Sequence, residues 1–258
     1  MKLIDTHTHL YLSDFTADID EVIKRAGDEG VENFYLPAID SSETKNLLAL
    51  EKKYPDKCFA MMGLHPCSVK ENYKEELNMV YNWLQKRKFA AIGEIGLDFY
   101  WDKTFTEQQY KSFQQQIEWA LQFDLPVVLH TRNAVQETID VVKEHTSKNL
   151  RGIFHCFSGT LQNALDVIET GFYLGIGGVI TYKNSGLAEV IKEIDLKHIV
   201  LETDAPYLTP VPFRGKRNES SYLKYIVAQI AEIKNISVEE VAEQTSVNAE
   251  KIYGAMKL

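Results

Sequence analysis

The sequence predicts an α/β chain folded as a (β/α)8 TIM barrel, a single domain over residues 1–258 with an extra C-terminal helix. Three observations predict it. Eight short apolar runs alternate with stretches of helical periodicity, which is the pattern of a parallel sheet. The runs are unbroken, as in Val127-Val128-Leu129 and Ile199-Val200-Leu201, which marks strands buried on both faces. Five pieces end in metal-ligand residue types: Asp5-Thr6-His7-Thr8-His9, Gly93-Glu94-Ile95-Gly96-Leu97-Asp98, Leu129-His130, Phe154-His155 and Leu201-Glu202-Thr203-Asp204. Strands that deliver ligands from their ends to one point build a metallohydrolase site on a barrel. The competing architecture, an open doubly wound sheet, needs a glycine fingerprint opening a helix, and Gly175-Ile176-Gly177-Gly178 lacks its spacing.

The elements follow in order. Residues 2–6 form the first strand, and the helix over 18–29 stops at Gly30. A strand over 31–38 precedes a helix over 42–53, and a strand over 58–64 precedes one over 74–85. The fourth strand, 89–94, leads to a long helix over 106–123 with Thr106 as its N-cap. Strand 126–129 is followed by helix 134–144, and strand 152–155 by helix 161–170, which ends at Gly171. Strand 172–176 leads to a helix over 186–194, and 198–201 is the eighth strand. Helices over 221–234 and 238–256 close the chain, the second capped by Ser237. The longest irregular stretch, 206–220, is rich in proline and arginine.

At 258 residues the chain is long enough for one large core. Its 45% apolar and 25% charged content is ordinary for a soluble globular protein. The net charge of −9 argues against a purely electrostatic nucleic-acid binder, although local cations can dominate a site. Cys58, Cys67 and Cys156 are odd in number and show no CxxC spacing, which fits a reducing, cytoplasmic location. No cleavable leader opens the sequence, and no apolar run is long enough to span a bilayer. A monomer without membrane association is expected.

His7 and His9 are two apart at the end of the first strand, so period two places both on one face, at the catalytic rim of a barrel. Asp5 shares that face one step deeper and is placed to orient a ligand histidine. Glu94 ends the fourth strand between glycines that allow close approach, a position suited to a carboxylate bridging two metals. His130 and His155 end two successive strands. Asp204 ends the eighth and returns beside the first. It is placed both to ligate a metal and to take a proton from an attacking water. Four histidines and two carboxylates suffice for two divalent ions sharing Glu94. Such a pair can activate a water and neutralise a phosphoryl oxygen. Ligand softness favours Zn, Mn, Co or Ni over Mg.

These pieces together resemble the TatD family of metal-dependent deoxyribonucleases, within the amidohydrolase-like barrels. The matching stretches are Ile4-Asp5-Thr6-His7-Thr8-His9-Leu10, Gly63-Leu64-His65-Pro66, Gly93-Glu94-Ile95-Gly96-Leu97-Asp98, Pro126-Val127-Val128-Leu129-His130-Thr131-Arg132, His155-Cys156-Phe157-Ser158-Gly159 and Leu201-Glu202-Thr203-Asp204-Ala205-Pro206. The resemblance implies one metal held by His7, His9, Glu94 and Asp204, and a second by Glu94, His130 and His155. It implies phosphodiester hydrolysis in DNA, often exonucleolytic, with Mg as the usual ion. Mg, Mn or Zn is therefore expected. The family's last-loop pattern, Pro-x-Arg-Gly-x-x-Asn-Glu-Pro, reads here Pro212-Phe213-Arg214-Gly215-Lys216-Arg217-Asn218-Glu219-Ser220, with serine in place of the final proline.

The expected activity is hydrolysis of DNA phosphodiesters by a metal-activated water, with Asp204 as general base and Glu94 and His65 as further catalytic groups. His65, Arg132, Lys183, Glu202 and Arg214 are the candidate substrate contacts, because each lies at a strand end or in a loop after a strand, at the active rim, and Glu202 is placed either to contact substrate or to fix a ligand histidine. Lys216 and Arg217 lie in the same last loop. Tyr100 and Trp101 are aromatic in a rim loop and are able to stack on a base, as is Tyr11 after the two histidines. Two other readings use the same residues. One is a small-molecule amidohydrolase or phosphoesterase, and the other a non-catalytic metal-binding scaffold.

Overall fold

The structure is a computed structural model that describes residues 1–254. Strands β1 (Leu3–Asp5), β2 (Val31–Leu36), β3 (Cys58–Ala60), β4 (Ile92–Gly96), β5 (Val127–His130), β6 (Gly152–Phe154), β7 (Tyr173–Ile176) and β8 (Ile199–Leu201) alternate with helices. The helices are α1 (Ile19–Asp28), α2 (Thr44–Lys53), α3 (Tyr73–Lys86), α4 (Thr106–Phe123), α5 (Val135–Lys143), α6 (Leu161–Glu169), α7 (Leu187–Glu193) and α8 (Leu223–Lys234), with α9 (Val238–Tyr253) last. Every strand pairing is parallel and follows chain order, in two arcs, β1 to β3 and β4 to β8. Two seams join the arcs. Ala90 N donates to Ala60 O (2.9 Å) and Met62 N to Ala91 O (3.2 Å) at one. At the other, Thr6 donates to Leu201 O from both its backbone N (3.0 Å) and its Oγ1 (2.9 Å). The result is the expected (β/α)8 barrel.

Apolar side chains form two layers. A large cluster fills the space between strands and surrounding helices. A smaller one fills the barrel itself, with Ile4, Phe59, Met61, Val128, Ile153 and Val200. Fully burying side chains of this kind contributes roughly 1.5–3 kcal/mol each. Helix α9 adds Ala249, Ile252 and Tyr253 to the inner cluster. Its Asn248 donates to Ile199 O (2.7 Å) and its Ser246 to Lys2 O (3.0 Å), so the helix plugs the end where strands begin. The opposite end, where strands finish, stays open for chemistry.

Local differences from the expected elements have physical causes. Strand β3 stops at Ala60 rather than running to 64, because beyond it Met62 makes a single bridge to Ile92 and Leu64 N donates to the Gln116 side chain (2.7 Å). β4 covers Ile92–Gly96 rather than 89–94, and its register to β5 shifts between Ile92 and Ile95. Thr106 is not the cap of α4. Phe105 takes that position, and Thr106 Oγ1 turns back to Lys103 O (2.8 Å). Ser237 does cap α9, through a reciprocal capping box with Glu240. That helix ends at Tyr253, before Gly254. The expected continuation to 256 lies outside the described residues.

Candidate active site

Strand alternation carries most of the polar side chains to the open end. Val128 points into the barrel, so His130 does too. Ile153 leads in the same way to His155, Val200 to Glu202 and Asp204, and Met61 to His65. Two groups arrive differently. Ile4 is the inward residue of β1, so strict alternation would turn His7 away, but the strand ends at Asp5 and the chain bends inward. Glu94 lies in the irregular part of β4. Its neighbour Gly93 also faces the interior, where a Cβ would come within 2.9 Å of Val128 Cβ.

The convergence point is the Glu94 carboxylate. Its Oε2 lies 3.2 Å from His7 Nε2 and 3.7 Å from His9 Nε2. Asp204 Oδ1 lies 3.6 Å and 3.5 Å from the same two nitrogens, which are 3.2 Å apart. A tetrahedral site with bonds of about 2.0–2.2 Å has edges of about 3.3–3.6 Å. These four donors therefore form a first cradle of the right size for a divalent ion. Glu94 Oε1 faces the other way, 2.7 Å from His130 Nδ1, 3.5 Å from His155 Nε2 and 3.3 Å from His65 Nε2. Glu94, His130 and His155 make a second cradle.

Hydrogen-bond partners assign the tautomers. Tyr11 OH donates its one proton to Pro37 O (2.7 Å), so it accepts from His9 Nδ1 (3.0 Å), leaving the Nε2 lone pair to the cradle. Asp98 Oδ2 lies 2.8 Å from His130 Nε2, which turns Nδ1 inward as the lone-pair atom. Glu202 Oε1 lies 3.0 Å from His155 Nδ1, within ion-pair distance but outside hydrogen-bond geometry, and places a carboxylate on that side of the ring. Imidazole nitrogens and carboxylate oxygens thus face one another at 2.7 to 3.7 Å in a buried centre. Such acceptor-only sets are satisfied by cations, and the residues fit divalent metal ions. His65 differs. Its Nδ1 accepts from Cys67 N (3.0 Å), so its Nε2 carries the proton and points into the site as a donor.

The electrostatics agree. Burial opposes ionisation of Glu94, yet His65, His155 and His7 hold its carboxyl well below the usual range. Asp204 is also lowered against burial, by His9, His155 and His7. His7 and His155 stack face to face with ring centroids 3.5 Å apart, so one proton between them is favoured. Burial, with the His155 charge, lowers His7. Burial also opposes the charge on His155, but Glu202 and Glu94 push it up to about 10.

The expected Asp5 role is corrected. Its carboxylate touches no imidazole. It accepts from Thr203 N (3.0 Å), Thr203 Oγ1 (2.6 Å) and Ser220 Oγ (2.6 Å), and burial pushes it up to about 7. It ties β1 to the segment carrying Asp204. Ser220, which departs from the family's proline, supplies a hydrogen bond that proline cannot make.

Two adjoining cavities open above the cradles, of about 520 and about 530 Å3. They share His130, Arg132, His155, Asp204 and Leu208, and His65 and Glu94 line the first. Arg132 is therefore at the mouth. Three other expected substrate contacts are placed elsewhere. Glu202 has no exposed surface and lies behind His155, accepting from Cys156 N (2.6 Å). Lys183 is exposed and lines neither cavity. Arg214 lies over the Tyr182 ring, 4.4 Å from its centroid, again outside both cavities. Arg217 is engaged by Asp18 (2.7 Å). The residues whose roles the sequence reading missed are Asp98, which stood in the Gly93–Asp98 motif, and Tyr11, two residues past His9.

A parallel barrel with buried histidines and carboxylates gathered at its strand ends defines a metal-dependent hydrolase acting on ester bonds. The sequence profile of the family described as TatD related DNase matches residues 4–254, and the chain belongs to that family. It is 38% identical over 252 residues to an uncharacterized metal-dependent hydrolase, YabD, of Bacillus subtilis (strain 168), covering 97% of this chain and 98% of the relative. It is 33% identical over 257 residues to the 3'-5' ssDNA/RNA exonuclease TatD of Erwinia tasmaniensis, covering 97% and 99%. The crystal structure of YjjV, a TatD homologue from Escherichia coli K12, superposes with a TM-score of 0.92 at 31% identity, covering 98% of both chains. No helix among the described residues is long and apolar enough to cross a membrane.

Proposed function

We propose that the protein hydrolyses phosphodiester bonds in DNA, working from an end, with two divalent ions (Mg, Mn or Zn) held by the two cradles that share Glu94. The observation that carries this reading is the back-to-back arrangement around Glu94, Oε2 towards His7 and His9 and Oε1 towards His130 and His155, beneath two adjoining cavities. When bound, the ions would lower the pKa of a water and offset charge on phosphoryl oxygens.

The chain's own groups do the rest. Asp204 faces His7 and His9 through Oδ1, lines both cavities and is ionised at neutral pH, so its carboxylate takes the proton of the attacking water. His65 presents a protonated Nε2 to the first cavity and donates to the charge developing on oxygen. Arg132 offers a guanidinium to a non-bridging phosphate oxygen. Glu202 and Asp98 hold His155 and His130 in register. A cleft with space on both sides of the cluster suits a polymer, with nucleotides flanking the bond to be cut. The relatives named as single-stranded DNA and RNA exonucleases support the same substrate class. Three free cysteines support a reducing, cytoplasmic setting.

The test uses labelled DNA with Mg, Mn or Zn, beside Glu94→Ala and Asp204→Ala. Cleavage by the wild type and its loss in both variants is expected. Cleavage that survives both substitutions sinks the reading, and hydrolysis of small esters without any of DNA moves the protein to the small-molecule class.

A further inference from the structure

Among the described residues, exposed large apolar side chains are few, and three of them, Trp101 (68% exposed), Tyr207 (53%) and Tyr100 (51%), gather at one place. Trp101 and Tyr207 both line the first cavity, Trp101 beside Arg132 and Tyr207 beside Asp204 and Leu208. Tyr207 lies edge-on to His9, with centroids 6.2 Å apart. Tyr100 and Trp101 meet edge to face at 4.8 Å, and the Arg132 guanidinium lies 4.0 Å from the Tyr100 centroid and 5.2 Å from that of Trp101. Packing against the core does not explain side chains this exposed.

Their placement is fixed by the site itself. Asp98 Oδ1 accepts from both Tyr100 N and Trp101 N (2.9 Å each), while its Oδ2 holds His130 Nε2 at 2.8 Å. One buried carboxylate therefore sets the aromatic loop and the second cradle in a common frame. A flat, wet aromatic surface next to a guanidinium, fixed relative to the phosphate position, suits a nucleobase. Every base has a π face, and arginine adds its own stacking and phosphate contact.

We propose that Trp101, beside Tyr100 and Arg132 and lining the first cavity together with Tyr207, is the stacking platform for the base next to the scissile phosphate. A base must leave its helical stack to lie there. This rests on the phosphodiesterase reading above.

The experiment compares two single-stranded, phosphorothioate-linked oligonucleotides, one complete and one abasic in its terminal nucleotides, by fluorescence anisotropy with Mn present. Unmodified versions of both are followed for cleavage. The wild type is expected to bind the complete strand roughly 5- to 150-fold tighter, the range for one stacked base. Trp101→Ala should bind both strands alike, while Trp101→Phe retains most of the difference. Binding should quench tryptophan emission in the wild type and not in Trp101→Phe, and circular dichroism checks that both variants are folded. Full base discrimination in folded Trp101→Ala overturns the platform. Equal binding and equal cleavage of the two strands by the wild type overturns it too, while leaving the phosphodiesterase reading intact. A wild type that binds and cuts neither strand overturns both.

Discussion

The two cradles share one carboxylate and differ in almost everything else. The first gathers four donors from the turn after β1, from β4 and from the turn after β8, with His7 fully buried and the other three lining the first cavity, and backs one histidine with a neutral phenol, Tyr11 behind His9. The second has three donors, opens to both cavities through His130 and His155, and backs each imidazole with a carboxylate, Asp98 or Glu202. A four-donor set favours retention of an ion, whereas a three-donor set keeps positions for water and substrate. In the proposed enzyme the first ion is the resident and the second is the one that exchanges.

The largest effect should come from the residue the cradles share. Glu94→Ala is expected to lose both ions and to reduce DNA hydrolysis by more than the ~10–100-fold typical of a supporting residue. Metal analysis after dialysis checks it, and one tightly held ion left in the variant would break the bridging role. Next come variants that separate the cradles. His130→Ala should keep about one ion per chain and Asp204→Ala should lose the tighter one. Identical stoichiometry in the two would erase the distinction. Asp98→Asn and Glu202→Gln should each weaken the exchangeable ion by ~10–100-fold, with little effect on the resident one. A titration followed by calorimetry separates the two affinities.

Protonation sharpens the contrast further. His130 and His155 are raised, against burial, by carboxylates beside them, His155 to about 10. At neutral pH, without metal, His155 holds a proton that must leave before it can ligate. Affinity at the second cradle should therefore rise with pH towards 10 and fall below neutrality, by up to about tenfold per pH unit for each proton released. His7 is lowered by burial, so it competes with no proton near neutrality. Calorimetry in buffers of different ionisation enthalpy counts the protons, and binding without proton release would contradict the assignment. The smallest effect belongs to the surface pair that pins the last loop. Asp18→Asn should cost under ~1 kcal/mol, because both partners are a third exposed. Arg217 holds the Asp18 carboxyl down to about 2, so this contribution is complete above pH 4 and lost as pH falls through 2. Thermal melts against pH test it, and neither ion's stoichiometry should change.

Much of this was legible before the structure. The alternation of apolar runs and helical patterns carried the barrel, and inward residues two positions earlier placed His65, His130, His155 and Asp204. Period two did not account for His7, His9 and Glu94, because the chain leaves β1 at Asp5 and β4 is irregular at Gly93 and Glu94. Residue type was the right signal there and periodicity the wrong reason. The loop cations were the least legible. Arg132, two residues beyond a strand-end ligand, reached the mouth, but Lys183 and Arg214 depended on loop paths that no local pattern specifies. The roles of Tyr11 and Asp98 were unreadable as well, since they act through angles and distances rather than spacing, whereas Glu202, two before Asp204, was placed to fix a ligand histidine and lies behind His155.

Helix α9 touches the beginnings of both β1 and β8 while its Tyr253 reaches Thr6 O (3.1 Å) inside the barrel. The histidines of the first cradle and Asp204, which completes it, are almost two hundred residues apart in the chain. The seam that brings them together is capped by α9. The first cradle is therefore closed only by long-range pairing across that seam, whereas Glu94, His130 and His155 come from three neighbouring elements, β4, β5 and the end of β6.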